Sequence, residues 1–392
     1  MTSETASVFA GFDPKRVPSP CHVIELATLE ENLRRLKHIA DSAEVKLLLA
    51  LKAFSCFAVA DLVGAYLQGT AASGLWEARL GRERFSGEVH AYLPGLKEAQ
   101  LREIEGYADH LIFNSVGQWE RFHPLLEARP PTAYGLRVNP RHSEVTTPRY
   151  DPCAAWSRLG ALASDLNDTL LASLGGLHVH GLCDQGFDPF DRLLAATEAR
   201  FGEFFGALDW INLGGGQLLT ADDYPMARLV ARLRAFKERW GLEVYLEPGT
   251  AVALNAGALV TEVLDLGRNE GRFAVLDASA TCHMPDVLEA PYTPDLLGAT
   301  SLTEAAAADD PDAVRLGGPT CLAGDVIGCY RFTSAPEVGQ RLVILDQAYY
   351  TMVKATTFNG TPLPALALWD SRSDALRMVR EFGYDAFESR LS

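Results

Sequence analysis

No run of about 18 or more apolar residues occurs in the 392-residue chain, so no membrane-spanning helix is expected. The segment Met1 to Phe12 lacks a basic patch followed by an apolar core, and no secretory leader is expected either. Cysteine is scarce: seven residues, an odd count without a C-x-x-C pair, argue against a disulfide framework and against a zinc site. A reducing cytoplasm is the expected setting, with no metal. Positive charge is in deficit, since 35 Lys and Arg against 51 Asp and Glu leave a net charge of −16. That balance disfavours nucleic acid and anionic membranes as partners. It suits a cationic substrate without selecting one. Internal repeats and low-complexity linkers are also absent.

What the chain does have is apolar content, 48% of its residues, enough for two domains with real cores. Strand-like runs fall at 46–53, 70–73, 88–93, 110–115, 133–140, 176–182, 210–215 and 242–249. Helical patterns lie between them at Leu75–Phe85, Leu96–Ala108, Phe190–Leu208 and Asp223–Trp240. Eight strands alternating with helices predict an α/β fold, a (β/α)8 TIM-type barrel; a doubly wound open sheet is the competitor. After Gly249 the texture changes to strands and turns, at 259–266, 272–277, 324–332 and 341–346, and the early strand His22–Leu26 is expected to join them. Glu304–Asp312 reads as a small acidic loop or short helix. The division expected is 25–255 for the barrel and 256–392, with 1–24, for a C-terminal mostly β domain.

Barrels of this kind collect their active sites at the C-terminal ends of the strands. Those ends carry Lys52, Arg137, His180, Gly214–Gly216 and Glu247. Val45, Leu47, Leu49 and Leu51 alternate with Lys46, Leu48, Ala50 and Lys52, which puts Lys52 among small or apolar neighbours. A lysine desolvated there loses basicity and becomes a candidate Schiff-base amine. The plainer alternative is a strand-end lysine reaching water, as Lys46 is expected to do. Gly214-Gly215-Gly216 offers consecutive N–H groups to an anion, or is a tight turn. His178 and His180 share a strand face without the acid or cysteine spacing of a metal site. His180 suits stacking on a flat cofactor, and His178 a hydrogen-bonded place inside the barrel. Glu247-Pro-Gly249 offers a carboxylate to a pyridine nitrogen, or caps a turn. Downstream, Cys321 and Asp325 share a tight loop, and Tyr350 precedes the turn Thr357-Phe-Asn-Gly360.

Longer strings carry a resemblance. Leu49-Ala-Leu-Lys-Ala-Phe-Ser55, Leu75-Trp-Glu-Ala-Arg-Leu-Gly81, Tyr150-Asp-Pro-Cys153 and Ser157-Arg-Leu-Gly160 come first. Ala280-Thr-Cys-His-Met-Pro-Asp-Val-Leu-Glu289, Gly318-Pro-Thr-Cys-Leu-Ala-Gly-Asp325 and Tyr350 to Gly360 follow. The chain resembles the fold-type III, alanine racemase-like pyridoxal-phosphate decarboxylases. Within them it is most similar to the carboxynorspermidine/carboxyspermidine decarboxylase branch, from about Ser19 to Gly360. The resemblance implies pyridoxal 5'-phosphate as cofactor, held by Lys52 as a Schiff base. It implies phosphate binding by Gly214, Gly215, Gly216 and Tyr350, with Arg137 nearby. His180 would stack on the ring, Glu247 would face its nitrogen, and Cys321 would return a proton after carbon dioxide leaves. It implies a homodimer in which the Cys321 loop and Tyr350 reach the partner's site. The small cationic amino-carboxylate substrate would meet Glu247, His283, Asp286, Glu289 and Asp325.

Four positions depart from the family pattern. Thr250 follows Glu247-Pro-Gly where the wider group has arginine and the nearer branch glutamate. Gly181 and Asp184 stand where the nearer branch has threonine and glutamate, and Ala71 where wider relatives have an acid. Decarboxylation of another basic or diamino acid, or a non-catalytic homologue, therefore stays open beside the lead. The missing arginine counts against diaminopimelate, and the absence of an evident second base counts against a racemase.

Overall fold

The computed structural model describes residues 8–126 and 129–392. They form two compact units: Asn32–Val252, and Ala253–Ser392 with the described residues up to Glu31. Strand β1 (Cys21–Glu25) belongs to the latter. The former is a closed barrel of β2 (Lys46–Ala50), β3 (Gly69–Ala72), β4 (Glu88–Tyr92), β5 (His110–Phe113), β6 (Tyr134–Val138), β7 (Gly176–Val179), β8 (Trp210–Asn212) and β9 (Glu243–Leu246). All neighbours pair in parallel, and β9 returns to β2 with Lys46 opposite Tyr245, which excludes the open sheet. Strands covered on both faces read as near-continuous apolar runs, and Leu47, Leu48 and Leu49 of β2 are all fully buried.

Leu48, Ala71, Ile112, Trp210 and Tyr245 fill the barrel interior. The Trp210 indole takes so much room that a Cβ on Gly176 would lie 2.1 Å from it, so only glycine fits at the start of β7. Outside, the helix Met226–Trp240 buries Leu229, Leu233 and Phe236 along one stripe. It ends at Gly241, whose left-handed φ of 71° closes the last turn. The helix predicted over Phe190–Leu208 runs from Phe187 to Phe201 and then tightens into a 3-10 turn, Gly202–Ala207.

The second unit is a sheet. It contains β10 (Gly257–Asn269), β11 (Gly271–Leu276), β12 (Ala299–Leu302), β13 (Ala313–Gly317), β14 (Val326–Phe332), β15 (Arg341–Leu345), β16 (Ala365–Asp370) and β17 (Ala375–Arg380). Its order is β12-β14-β13-β11-β10-β1-β16-β17, with β15 paired to β10. Strand β1 joins it as expected, antiparallel to β10 and parallel to β16. Leu259, Leu276 and Tyr330 lie at the centre of one buried cluster, and Phe9, Val23 and Trp369 in another. Among the described residues, no helix is long and apolar enough to cross a membrane.

Candidate active site

Strand β2 ends at Ala50, and the turn beyond it is pinned on both sides. The Ala50 N–H donates to the Pro248 carbonyl and the Leu51 N–H to the Ala71 carbonyl, each at 3.0 Å. Lys52, two residues past the strand, is half-buried in this turn. Burial pushes its ammonium pKa down; the Glu247 carboxylate pulls it back up, and Arg137 adds to the fall. A smaller charged share leaves more of the amine nucleophilic.

On β6, Arg137 is buried with its guanidinium 4.6 Å from the centre of the Tyr92 ring. Its Nη2 donates to the His180 carbonyl at 3.3 Å. Burial and the cations of Lys52 and Arg137 hold His180 neutral, well below its ordinary range. His180 Nδ1 accepts from the Gly215 N–H at 3.2 Å, which leaves the ring proton on Nε2.

Glu247, at the end of β9, is 9% exposed. Burial alone would raise its pKa, but His178, then Lys52 and His180, pull it well below the carboxylate range. Among the described residues its polar contacts fall on Oε1, which accepts from Asn212 Nδ2 at 2.7 Å and lies 3.5 Å from His178 Nε2. His178 departs from expectation: it is buried inside the barrel, yet neither ring nitrogen makes a hydrogen bond. Its Nε2 lies 3.5 Å from the Glu247 Oε1, a long, weak contact with that carboxylate.

The glycine triplet also differs from the exposed row of donors read from its sequence. Gly214 and Gly216 adopt φ of 67° and 88°, and a Cβ on Gly215 would lie 2.0 Å from the Glu247 carbonyl. Glycine is required at all three for the chain to pass, but two donors are already engaged. The Gly214 N–H donates to Asn212 Oδ1 at 2.9 Å and that of Gly215 to His180. Gly216 keeps the N–H left for an anion among the described residues. Its carbonyl accepts from Gln185 N at 2.9 Å, and in the same loop Asp184 Oδ1 accepts from Thr250 Oγ1 at 2.9 Å.

Two features escaped the sequence. Glu77, on the helix after β3, accepts from Ser73 N at 2.7 Å; burial raises its pKa, and Lys52 acts against that rise. The signal was present as the acid within Leu75-Trp-Glu, read only as part of a string. At the opposite ends of the strands, Glu88, His90 and His110 bring ligand-type atoms within 4.8 Å of one another. Lys46 does not reach for water there: its Nζ is 2.6 Å from Glu88 Oε1, and the Tyr245 hydroxyl donates to Oε2 at 3.0 Å. An ammonium already neutralises that carboxylate.

The second unit positions the remaining candidates. Cys321 is exposed, and its N–H donates to Asn359 Oδ1 at 2.9 Å, tying its loop to the turn Phe358–Gly360. Tyr350 has φ of 51°, unusual for a large side chain, just before the helix Thr351–Lys354. Asp325 and His283 are both held by hydrogen bonds within their own unit. Asp325 is buried and accepts from Ser279 Oγ, Thr281 N, Thr320 N and Thr320 Oγ1. His283 is fully buried, with Nδ1 accepting from Ser279 N at 3.2 Å and Nε2 facing the Pro362 carbonyl at 3.0 Å. Asp286 and Glu289 stand together, with Lys354 Nζ between them at 2.7 and 2.5 Å.

Pyridoxal phosphate demands an amine, an ionised carboxylate and an anion donor, with a flat neutral ring as cover. Lys52, Glu247 with Oε2 outside its polar contacts, the Gly216 N–H and His180 answer each demand, so the residues present fit the group.

A family profile described as pyridoxal-dependent decarboxylase, C-terminal sheet domain, matches residues 23–348. The chain is 38% identical over 382 residues to a carboxynorspermidine/carboxyspermidine decarboxylase of Campylobacter jejuni, covering 96% of this chain and 99% of the relative. It is 41% identical over 378 residues to a carboxyaminopropylagmatine decarboxylase of Synechocystis, covering 96% of each. Among solved structures, C. jejuni carboxynorspermidine decarboxylase complexed with norspermidine superposes with a TM-score of 0.88 at 37% identity, covering 95% of this chain and 100% of that one.

Proposed function

The chain belongs to the pyridoxal-dependent decarboxylases with a C-terminal sheet domain, and on that premise we propose that it decarboxylates a carboxylated aliphatic polyamine. One observation carries the assignment of the machinery. A lysine with a depressed pKa and a carboxylate held ionised sit in the same ring of barrel strand ends. Bound there, pyridoxal phosphate supplies a conjugated ring that takes up the electron pair left when carbon dioxide departs.

The protein's own residues do the rest. Lys52 would hold the cofactor through its amine, whose depressed pKa leaves it available to the carbonyl carbon. Glu247, held ionised, would face the ring nitrogen and keep a proton on it. Neutral His180 covers the ring face without adding a competing charge, and Arg137 holds it through its carbonyl. The Gly216 N–H and the glycine turn would bind the phosphate, joined by Tyr350 from the other subunit of the homodimer. After the carbon–carboxylate bond breaks, Cys321 Sγ would give its proton to the carbon and regain one from water. We assign this thiol to the partner subunit's site in a homodimer, as in the family it resembles. Asp286 and Glu289 read the cationic tail, with Lys354 as the internal cation that the tail displaces.

The relatives' names differ in the far end of the substrate, an amine in one and a guanidine in the other. Carboxylates accommodate both. Carbon dioxide release across a panel tests the reading: carboxynorspermidine, carboxyspermidine, carboxyaminopropylagmatine, ornithine, lysine and meso-diaminopimelate. A kcat/KM at least about tenfold higher on one of the first three supports it. Preference for any of the others refutes it.

A further inference from the structure

We propose that Asn212 is a positioning residue that joins the two ends of the cofactor site, setting the Glu247 carboxylate and the glycine turn with one side-chain amide. It is the last residue of β8, fully buried, opposite His178 of β7 and Tyr245 of β9. Its two amide atoms do different work. Nδ2 donates to Glu247 Oε1 at 2.7 Å, and Oδ1 accepts from the Gly214 N–H at 2.9 Å.

The partners settle which way the amide points. An ionised carboxylate only accepts and a backbone N–H only donates, so the flipped amide would lose both bonds. Asparagine alone satisfies both partners at this length: aspartate has no donor, and leucine has neither function. Holding Oε1 this way turns Oε2 away from the protein's own polar contacts. Engaging the Gly214 N–H fixes a turn whose first and third residues are left-handed. That turn presents the Gly216 N–H. The inference rests on the role proposed for Glu247 and extends it to the residue that aims it.

The test uses Asn212→Asp in the full-length protein. The variant keeps an acceptor for Gly214 but sets a second carboxylate against Glu247, which is faced also by His178 and His180 from β7 and by Lys52, with Arg137 of β6 beside them. Pyridoxal phosphate is titrated into cofactor-free protein, and its dissociation constant and absorbance spectrum are read at about pH 6 and about pH 8.5, each against the parent. The expected result is a dissociation constant raised at least about tenfold, more at the higher pH, where both carboxylates ionise and repel. A constant within about twofold of the parent at both pH values overturns the proposal, and so does a loss that is the same at both. Glu247→Gln runs in parallel: if it leaves affinity and spectrum unchanged, the role of Glu247 itself falls, and the inference with it. If Glu247→Gln disturbs them and Asn212→Asp does not, only the inference falls. Should Asn212→Asp fail to fold, Asn212→Ser introduces no charge and must still raise the constant about tenfold; an unchanged value overturns the proposal.

Discussion

Replacing Asp325 with alanine should loosen the loop that carries Cys321, and the structure sets the size of the effect. The Asp325 carboxylate is 4% exposed and accepts from four donors: Ser279 Oγ at 2.9 Å, Thr281 N at 3.1 Å, Thr320 N at 3.3 Å and Thr320 Oγ1 at 2.7 Å. Gly318 packs directly against it: a Cβ there would lie 2.3 Å from Asp325 Oδ2. Bonds to a charged acceptor contribute about 1.5–3 kcal/mol each; the freed Thr320 hydroxyl can rotate towards water, while the fully buried Ser279 hydroxyl and the two backbone donors cannot. The net cost of Asp325→Ala is therefore about 3–5 kcal/mol, the sum over buried neutral donors left unsatisfied at about 1–3 kcal/mol each. At about 2–4 °C per kcal/mol for a domain of this size, the melting temperature should drop by about 10 °C. Thermal denaturation followed by circular dichroism reads this directly. Decarboxylation should fall as well, because Thr320 adjoins the Cys321 thiol in sequence. A melting temperature within about 2 °C of the parent would refute the assignment of Asp325 as the staple of this loop.

Other expectations follow from single contacts. His22 is 3% exposed; burial, then the neighbouring His283, hold its pKa down at about 3. The unfolded chain then binds more protons than the folded one between about pH 3 and 6.5, so stability falls as pH falls, by about 2 kcal/mol from pH 6.5 to 5 for this one group. His22→Phe should move the acid-unfolding midpoint downward, and an unmoved midpoint would mean His22 does not titrate on unfolding. Mixing inactive Lys52→Ala and Cys321→Ala proteins under exchange of subunits should restore about a quarter of parental activity if each site takes its lysine from one subunit and its thiol from the other. No recovery despite subunit exchange, confirmed by native mass spectrometry, would place both in one subunit. Lys354→Met removes the cation between Asp286 and Glu289 and should lower KM for the carboxylated polyamine by several-fold, with kcat little changed. An unchanged KM would assign the three residues to holding the fold.

The barrel was legible because its strands are covered on both faces and read as bounded apolar runs, as at Lys46–Ala50 and Gly176–Val179. In the sheet unit, four strands went unread for the opposite reason. Ala299–Leu302 and Ala375–Arg380 are largely exposed and carry polar or charged side chains, so no alternation marks them. Ala313–Gly317 hides against the glycine loop that it feeds, and Ala365–Asp370 follows Pro362 and Pro364, which read as loop. At the site, residue types at strand ends pointed to Lys52, His180 and Glu247. Hydrogen-bond partnership was not legible: nothing in Gly214-Gly215-Gly216 tells that Asn212 and His180 occupy two of its donors. Nor does Asp325 reveal that its oxygens are taken, or Lys354 that it stands between two acids 65 and 68 residues away in sequence.

The covalent role of Lys52 is the centre of the account, and peptide mass spectrometry of the borohydride-reduced holoenzyme tests it most directly. Reduction fixes the cofactor to whichever lysine holds it. The added mass is expected on the peptide containing Lys52, with the absorbance of the bound cofactor lost in Lys52→Ala. A label on Lys46, Lys354 or any other lysine, or a cofactor that binds with its absorbance unchanged in Lys52→Ala, would contradict it.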